Sequence, residues 1–250
     1  MSYEFRLASS SDLTSLADLI DAAEIEGAAF IDDPDDFVLL AFALGDSSPK
    51  GAVRCRRNIG SHEPRYWYHV GTRVHAASDL AMFRRERTLL LGNDLTGAME
   101  IAALATNETD AVRRRLLQHE LIGAAIERLR VPTHRNDSAR IIAPLPGVRH
   151  DGVSPFWEGL GRAFFPGDPE QARRRFGERW VTHVAALLPK HPLVVSILPE
   201  SAQAAIGQVP DAAAGYRDAL LAHGFVVGQH VSVDDGGAVL ELHASTAPPR

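Results

Sequence analysis

The chain carries one cysteine in 250 residues, Cys55. A single thiol excludes an internal disulfide and a cysteine-based zinc site, and it suits a reducing compartment. Its strand-like surroundings, "GAVRCRRN", make it a packing thiol rather than a nucleophile. No apolar run approaches the roughly 20 residues of a membrane-spanning helix. The opening "MSYEFRLASSSDL" lacks a basic segment followed by an apolar one, so no signal peptide is expected. These absences predict a soluble, cytoplasmic protein with no membrane partner. Phosphate-loop, dinucleotide, zincin and nucleophile-elbow patterns are all missing. The 11 histidines show no ligand spacing, so no metal is expected. A net charge of -6 argues against nucleic acid.

What is present is ordinary globular material, 45% apolar and 23% charged, with strand and helix patterns in alternation. "YEFRLA" reads as a strand, followed by a helix started by Ser9 to Asp12 and carrying Leu13, Leu16, Leu19 and Ile20 at helical spacing. "DFVLLAFAL" and "AVRCRRNI" form a hairpin. Residues 60–97 are less regular, with an aromatic cluster and a helix-like "ASDLAMFRRERTLLL". "AMEIAALAT" fits a buried strand by its flanks and a helix by its alanines. The strongest helix follows it, with caps expected at Asn107 and Thr109 and an apolar face from Val112 and Leu116 through Leu129. "ARIIAPLPG" is a strand and "SPFWEGLGRAFF" a helix with serine cap and leading proline. A continuous helix over "ARRRFGERWVTHVAALL", a strand at "HPLVVSIL", a helix at "DAAAGYRDALLAHGF" and a hairpin turning at Asp235-Gly236-Gly237 complete the chain. The alternation predicts an α/β (α+β) protein with a mixed sheet flanked by helices. One domain is expected, in three parts: 1–60, 61–165 and 166–250.

The step from "MEIAALAT" into the long helix has the form of an anion site, because free N–H groups at a helix start favour phosphate. Acyl-CoA N-acyltransferases build this loop with glycines; here Arg113-Arg114-Arg115 stand nearby instead. Arg114 is therefore the candidate phosphate contact. His191 and His75 stand in punctuated loops as candidate acid–base groups, against the blander reading of surface histidines.

Five collinear stretches carry a resemblance: "YWYHVGTRVHAASDL", "LGNDLTGAMEIAAL", "GVSPFWEGLGRAFF", "LLPKHPLVVSILPESAQAAIGQV" and "VDDGGAVLEL". In order and detail they resemble the arginine N-succinyltransferase family, within the broader acyl-CoA N-acyltransferase (GNAT-like) fold. The resemblance implies transfer of a succinyl group from succinyl-CoA, a co-substrate rather than a bound cofactor, to the α-amine of arginine in bacterial arginine degradation. It places the acyl-CoA on the strand carrying Ala103 and Leu104. Asp94, Glu100 and Asp235 are the acids that would hold a guanidinium.

The family keeps a histidine directly after Gly-Gln-Val, its presumed proton donor, where this chain has Pro210. Asp211 is the candidate substitute, against the plainer reading of a helix-start carboxylate. The loop glycines are also missing, and the chain is shorter than the family at both ends. Two-subunit forms are implied, one chain being glycine-poor at this loop. A homodimer or a heteromer with a related subunit is the corresponding assembly. Two functions stay open: an active amine acyltransferase, and a non-catalytic partner subunit or ligand-binding regulator.

Overall fold

The computed structural model describes residues 3–12, 19, 35–131 and 140–243. The helix expected after Ser9 to Asp12 lies outside the described residues, apart from Leu19. Among the described residues, ten strands form one sheet in the order β1-β2-β3-β6-β7-β10-β9-β4-β5-β8. They are β1 Tyr3–Leu7, β2 Asp36–Ala43, β3 Pro49–Arg56, β4 Trp67–Ala77, β5 Met82–Gly92, β6 Met99–Thr106, β7 Arg140–Pro144, β8 Leu193–Val194, β9 Val226–Ser232 and β10 Ala238–His243. Every neighbouring pair is antiparallel except β6 and β7.

Among the described residues, six helices accompany the sheet: α1 Ala111–Arg130, α2 Pro155–Gly159, α3 Pro169–Phe176, α4 Trp180–Ala185, α5 Glu200–Ala205 and α6 Ala214–Ala222. The long helix α1 presents Leu117, Leu121, Ile122, Ala125, Ile126 and Leu129 to the sheet, residues spaced three and four apart as one face requires. They pack with Val53, Ile101, Ile141 and Leu240 into the larger core, which α6 closes through Ala219 and Leu220. A second core lies under α2 to α5, where Trp157 and Trp180 meet edge to face at 5.3 Å beside Tyr68, Leu89 and Val231.

Several expectations are corrected. Residues 67–92 form a hairpin of two eleven-residue strands, not an aromatic cluster and a helix. Period-two burial decides it: Leu89 and Leu91 are buried while Leu90 between them is exposed, and β9 supplies a ladder for Trp67 to His69. The cap of α1 is Asp110, whose carboxylate accepts from the Val112 and Arg113 amides, and not Asn107 or Thr109. Val112 and Leu116 face solvent, 77% and 41% exposed. The single helix expected across "ARRRFGERWVTHVAALL" breaks at Gly177, whose φ of 56° leaves the right-handed region. The strand expected at "HPLVVSIL" shrinks to two residues. "AMEIAALAT" is a strand, and the two expected hairpins, the Ser154 cap and Pro155 at the first helical position stand as read.

Among the described residues no helix is long and apolar enough to cross a membrane. Because Leu121 is fully buried between α1 and the sheet, Leu121→Ala is expected to cost about 3 kcal/mol of unfolding free energy, read from urea denaturation midpoints. A loss under about 1 kcal/mol would show that this core relaxes around the cavity.

Candidate active site

The site begins with two strands that part. β6 and β7 pair in parallel only at Met99 with Ile141 and Glu100 with Ile142. Beyond that, β7 stays with β10 to Pro144, while β6 stays with β3 to Thr106. From Ile101 to Thr106 the β7-facing edge of β6 therefore has no strand partner among the described residues. The register against β3 also slips: Arg54 faces Ala103 and Cys55 faces Ile101, which leaves Ala102 as a bulge. A bulge beside an open strand edge re-aims backbone N–H groups out of the ladder. These amides can accept a pantetheine chain or polarise a carbonyl.

The foot of this opening is closed by α6. Tyr216 packs against the larger core, and its hydroxyl lies 3.5 Å from the Ile101 carbonyl, on the first residue that β7 has left. Burial raises the Tyr216 pKa far above its ordinary value, so the phenol is neutral. The loop ahead of α6 is held by Gly207, whose φ of 77° favours glycine and whose N–H donates to the Gly236 carbonyl at 2.8 Å. Two of the family-like stretches, "IGQV" and "DDGG", thus meet in space. Pro210 sits in extended conformation at the end of that loop.

On the other side of β6, where Glu100 points away from Ile101, lies a cavity of about 190 Å³. It is lined by Arg56, Arg65, Trp67, Glu100, Ala102, Pro144, Arg173, Trp180 and Asp234, among others. Glu100 is 1% exposed, and its Oε2 accepts from Arg56 Nη1 at 3.1 Å and Arg65 Nη1 at 2.5 Å. Such a buried carboxylate is tolerable because cations surround it. Arg173 pairs with Asp234 across the cavity. A second cavity of about 270 Å³ adjoins it, sharing Arg56, Arg65 and Thr182.

The expected site residues divide. Ala103 and Leu104 lie on the unpaired part of β6, and Leu104 also packs against the core. Glu100 lines the cavity, and Asp235 sits beside the lining residue Asp234. Asp235 is buried; its two oxygens accept from the Gly147 and Gly237 amides, each at 2.9 Å, joining β7's exit to the β9–β10 turn. Burial, with the Asp234 charge beside it, raises its pKa to about 6. Asp94 lies elsewhere, bonded at 2.8 Å to His230 Nε2, while His230 Nδ1 meets Glu241 at 3.1 Å. Partial burial works against ionising Asp94, but the His230 bond and charge prevail and its pKa is lowered.

Arg114 stands at the start of α1, donating to the Glu108 and Thr109 carbonyls at 2.9 and 3.0 Å. The chain's own carboxylates occupy that helix start, Asp110 on the Val112 and Arg113 amides and Glu108 on the Asp110 amide. His75 lies on β4, 3.5 Å from Glu86; His191 is exposed between α4 and β8; Asp211 is exposed ahead of α6. None of the three lines the cavity. Cys55 is fully buried and burial pushes its thiol up, as a packing residue requires. Tyr216, Arg65 and Arg173 were not singled out from sequence. Arg173 lies in the arginine-rich start of the expected helix "ARRRFGERWVTHVAALL", and the other two are single residues without a motif.

A mixed sheet whose one parallel pair splays beside a bulge, with a helix following each splayed strand in the chain, is the acyl-CoA N-acyltransferase (GNAT-like) architecture. The family model described as arginine N-succinyltransferase beta subunit matches residues 5–247, and the chain belongs to that family. It is 33% identical over 204 residues to an arginine N-succinyltransferase of Citrobacter koseri, covering 80% of this chain and 58% of that protein. It is 34% identical over 184 residues to one of Salmonella paratyphi B, covering 73% and 53%. The chain thus spans about half the length of the curated relatives it matches. Among solved structures, arginine/ornithine succinyltransferase subunit AI from Pseudomonas aeruginosa superposes with a TM-score of 0.69 at 22% identity, over 97% of this chain and 77% of that one.

The buried Asp235 gives a pH test. Its folded pKa, about 6, exceeds the unfolded value of about 3.9, so the folded state binds the proton more tightly. That contribution is full below about pH 4 and is lost as pH rises through about 6. Denaturation of wild type and Asp235→Asn across this window should show the wild type losing stability relative to the variant. Parallel curves would dissociate this ionisation from folding.

Proposed function

We propose that the chain is an acyl-CoA-dependent N-acyltransferase that moves a succinyl group from succinyl-CoA to the α-amine of arginine or a related amino acid. The observation that carries this reading is the parting of β6 from β7 beside the Ala102 bulge, over a cavity rich in guanidinium and carboxylate groups. In this reading the pantetheine lies along the open edge at Ala103 and Leu104. Arg114 and its neighbours reach the phosphates through side chains, since acids already cap the α1 amides. The acceptor's guanidinium takes the Asp234 side of the cavity. The reducing interior implied by one buried thiol points to the cytoplasm.

The acceptor ammonium first loses a proton to solvent. The amine then attacks the thioester carbon, the oxygen being polarised by backbone N–H groups at the bulge. The C–N bond forms, the attacking nitrogen releases its remaining extra proton to solvent, the C–S bond breaks, and the thiolate takes a proton. With Pro210 at the position of the expected histidine, Tyr216 is the donor this reading assigns, because its neutral hydroxyl lies at the open strand. Asp211, exposed one residue beyond Pro210, is the second candidate. Because burial disfavours the phenolate, the hydroxyl takes up a solvent proton as it gives its own.

The second reading, a non-catalytic partner subunit, draws on Pro210 and on the acid-capped start of α1. Titration calorimetry with succinyl-CoA, followed by thiol release with arginine or ornithine, separates the two. Binding with turnover supports the enzyme, and binding without turnover supports the partner. Tyr216→Phe is expected to lower kcat by roughly 10²–10⁴-fold, the usual worth of one positioned acid. It should leave the melting temperature nearly unchanged. A kcat within threefold of wild type would move the donor's role away from Tyr216, and Asp211→Asn would be tested next.

A further inference from the structure

We propose that Arg65 is the residue that reads the donor's acyl chain, binding the free carboxylate at its far end. The proposal rests on the acyltransferase reading and names the specificity of that same cavity. Arg65 lies in the loop between β3 and β4, and two contacts fix its side chain. Its Nη1 donates to buried Glu100 at 2.5 Å, and its guanidinium carbon sits 5.2 Å from the centre of the Trp67 ring. An arginine tethered by one nitrogen and lying over an aromatic face has little rotamer freedom left to lose on binding a ligand.

Among the described residues, Glu100 is the one side chain that accepts a hydrogen bond from Arg65, and it takes Nη1 alone. Nε and Nη2 remain for a ligand, and their fork matches a carboxylate bidentately. Arg65 is 28% exposed and lines both adjoining cavities, so a ligand can reach it. Glu100 is thereby a positioning residue for Arg65: at 1% exposure it is less open to a ligand than Arg65 is.

The same cavity wall holds Ala102, the bulge residue where the thioester carbonyl is placed in the functional reading. A donor whose carbonyl sits there projects its acyl chain into the cavity that Arg65 lines. A four-carbon dicarboxylyl group carries a second carboxylate into that space, and an acetyl group leaves it empty. The acceptor amino acid also bears a carboxylate, so the experiment must separate the two sources.

Dissociation constants for succinyl-CoA and acetyl-CoA are measured by calorimetry on wild type, Arg65→Met and Arg65→Lys, alongside turnover with arginine and with arginine amide. Wild type is expected to prefer succinyl-CoA, and Arg65→Met to reduce that preference roughly 10- to 100-fold, the range for a hydrogen-bonded charge pair. Arg65→Lys keeps a cation on Glu100, so it controls for folding, and it should retain part of the preference because it lacks the fork. A wild type that binds both thioesters equally overturns the proposal and leaves the acyltransferase reading intact. So does an Arg65→Met whose defect is confined to discrimination between arginine and arginine amide, which would assign the carboxylate to the acceptor. Failure to bind either thioester overturns both.

Discussion

Two parallel strands that share hydrogen bonds at only two residue pairs set the form of this protein. A strand edge with unpaired N–H and C=O groups, inside a sheet that otherwise continues to both sides, has to be stabilised from its flanks. Here β3 holds β6 and β10 holds β7, each over most of its length. Helix α1 spans the β6 side, and α6 supplies Tyr216 to the Ile101 carbonyl that β7 has left. The bulge at Ala102 follows from the same geometry, since an extra residue lets β6 bend away while keeping its ladder with β3. The gap is thus held open by pairing on both outer sides, and a substrate chain can complete the missing ladder.

Charge is arranged around this gap with the same economy. Buried carboxylates are unfavourable alone, and each one near the site has its compensation. Glu100 gathers two guanidiniums and Asp235 accepts two backbone amides. The second case has a mechanical side: Asp235 ties the exit of β7 to the β9–β10 turn, and Gly207 ties the loop before α6 to that same turn. Loop, turn and strand exit behave as one unit on the side of the opening where the family's histidine is expected. Pro210, at that place, carries no titratable group.

Much of the fold was legible because buried strands and a long amphipathic helix leave periodic traces. Leu117, Leu121, Ile122, Ala125, Ile126 and Leu129 announce the buried face of α1 without any structure. The β4–β5 hairpin escapes the sequence because "SDLAMFRRERTLLL" has helical spacing locally, and the strand that covers its outer edge, β8, lies more than 100 residues away. The cap of α1 was displaced by one residue from Thr109 to Asp110, because side chains of the same class compete for the same amides. Ala103, Leu104 and Glu100 were legible as candidates because one strand-like stretch carries all three. Arg65 and Tyr216 were not, because nothing in their own neighbourhoods distinguishes them.

The sequence by itself determined the alternation of elements, the larger helix's buried face, the buried thiol and the family, since each is written in local pattern or collinear motif. Only the tertiary structure decided where β6 leaves β7, that Ala102 bulges there, and that Arg65, Glu100, Arg173 and Asp234 surround one cavity. The physical reason is range. Periodicity and capping act between residues a few positions apart, whereas a site is made by groups from positions 56 to 234, brought together only when the sheet assembles.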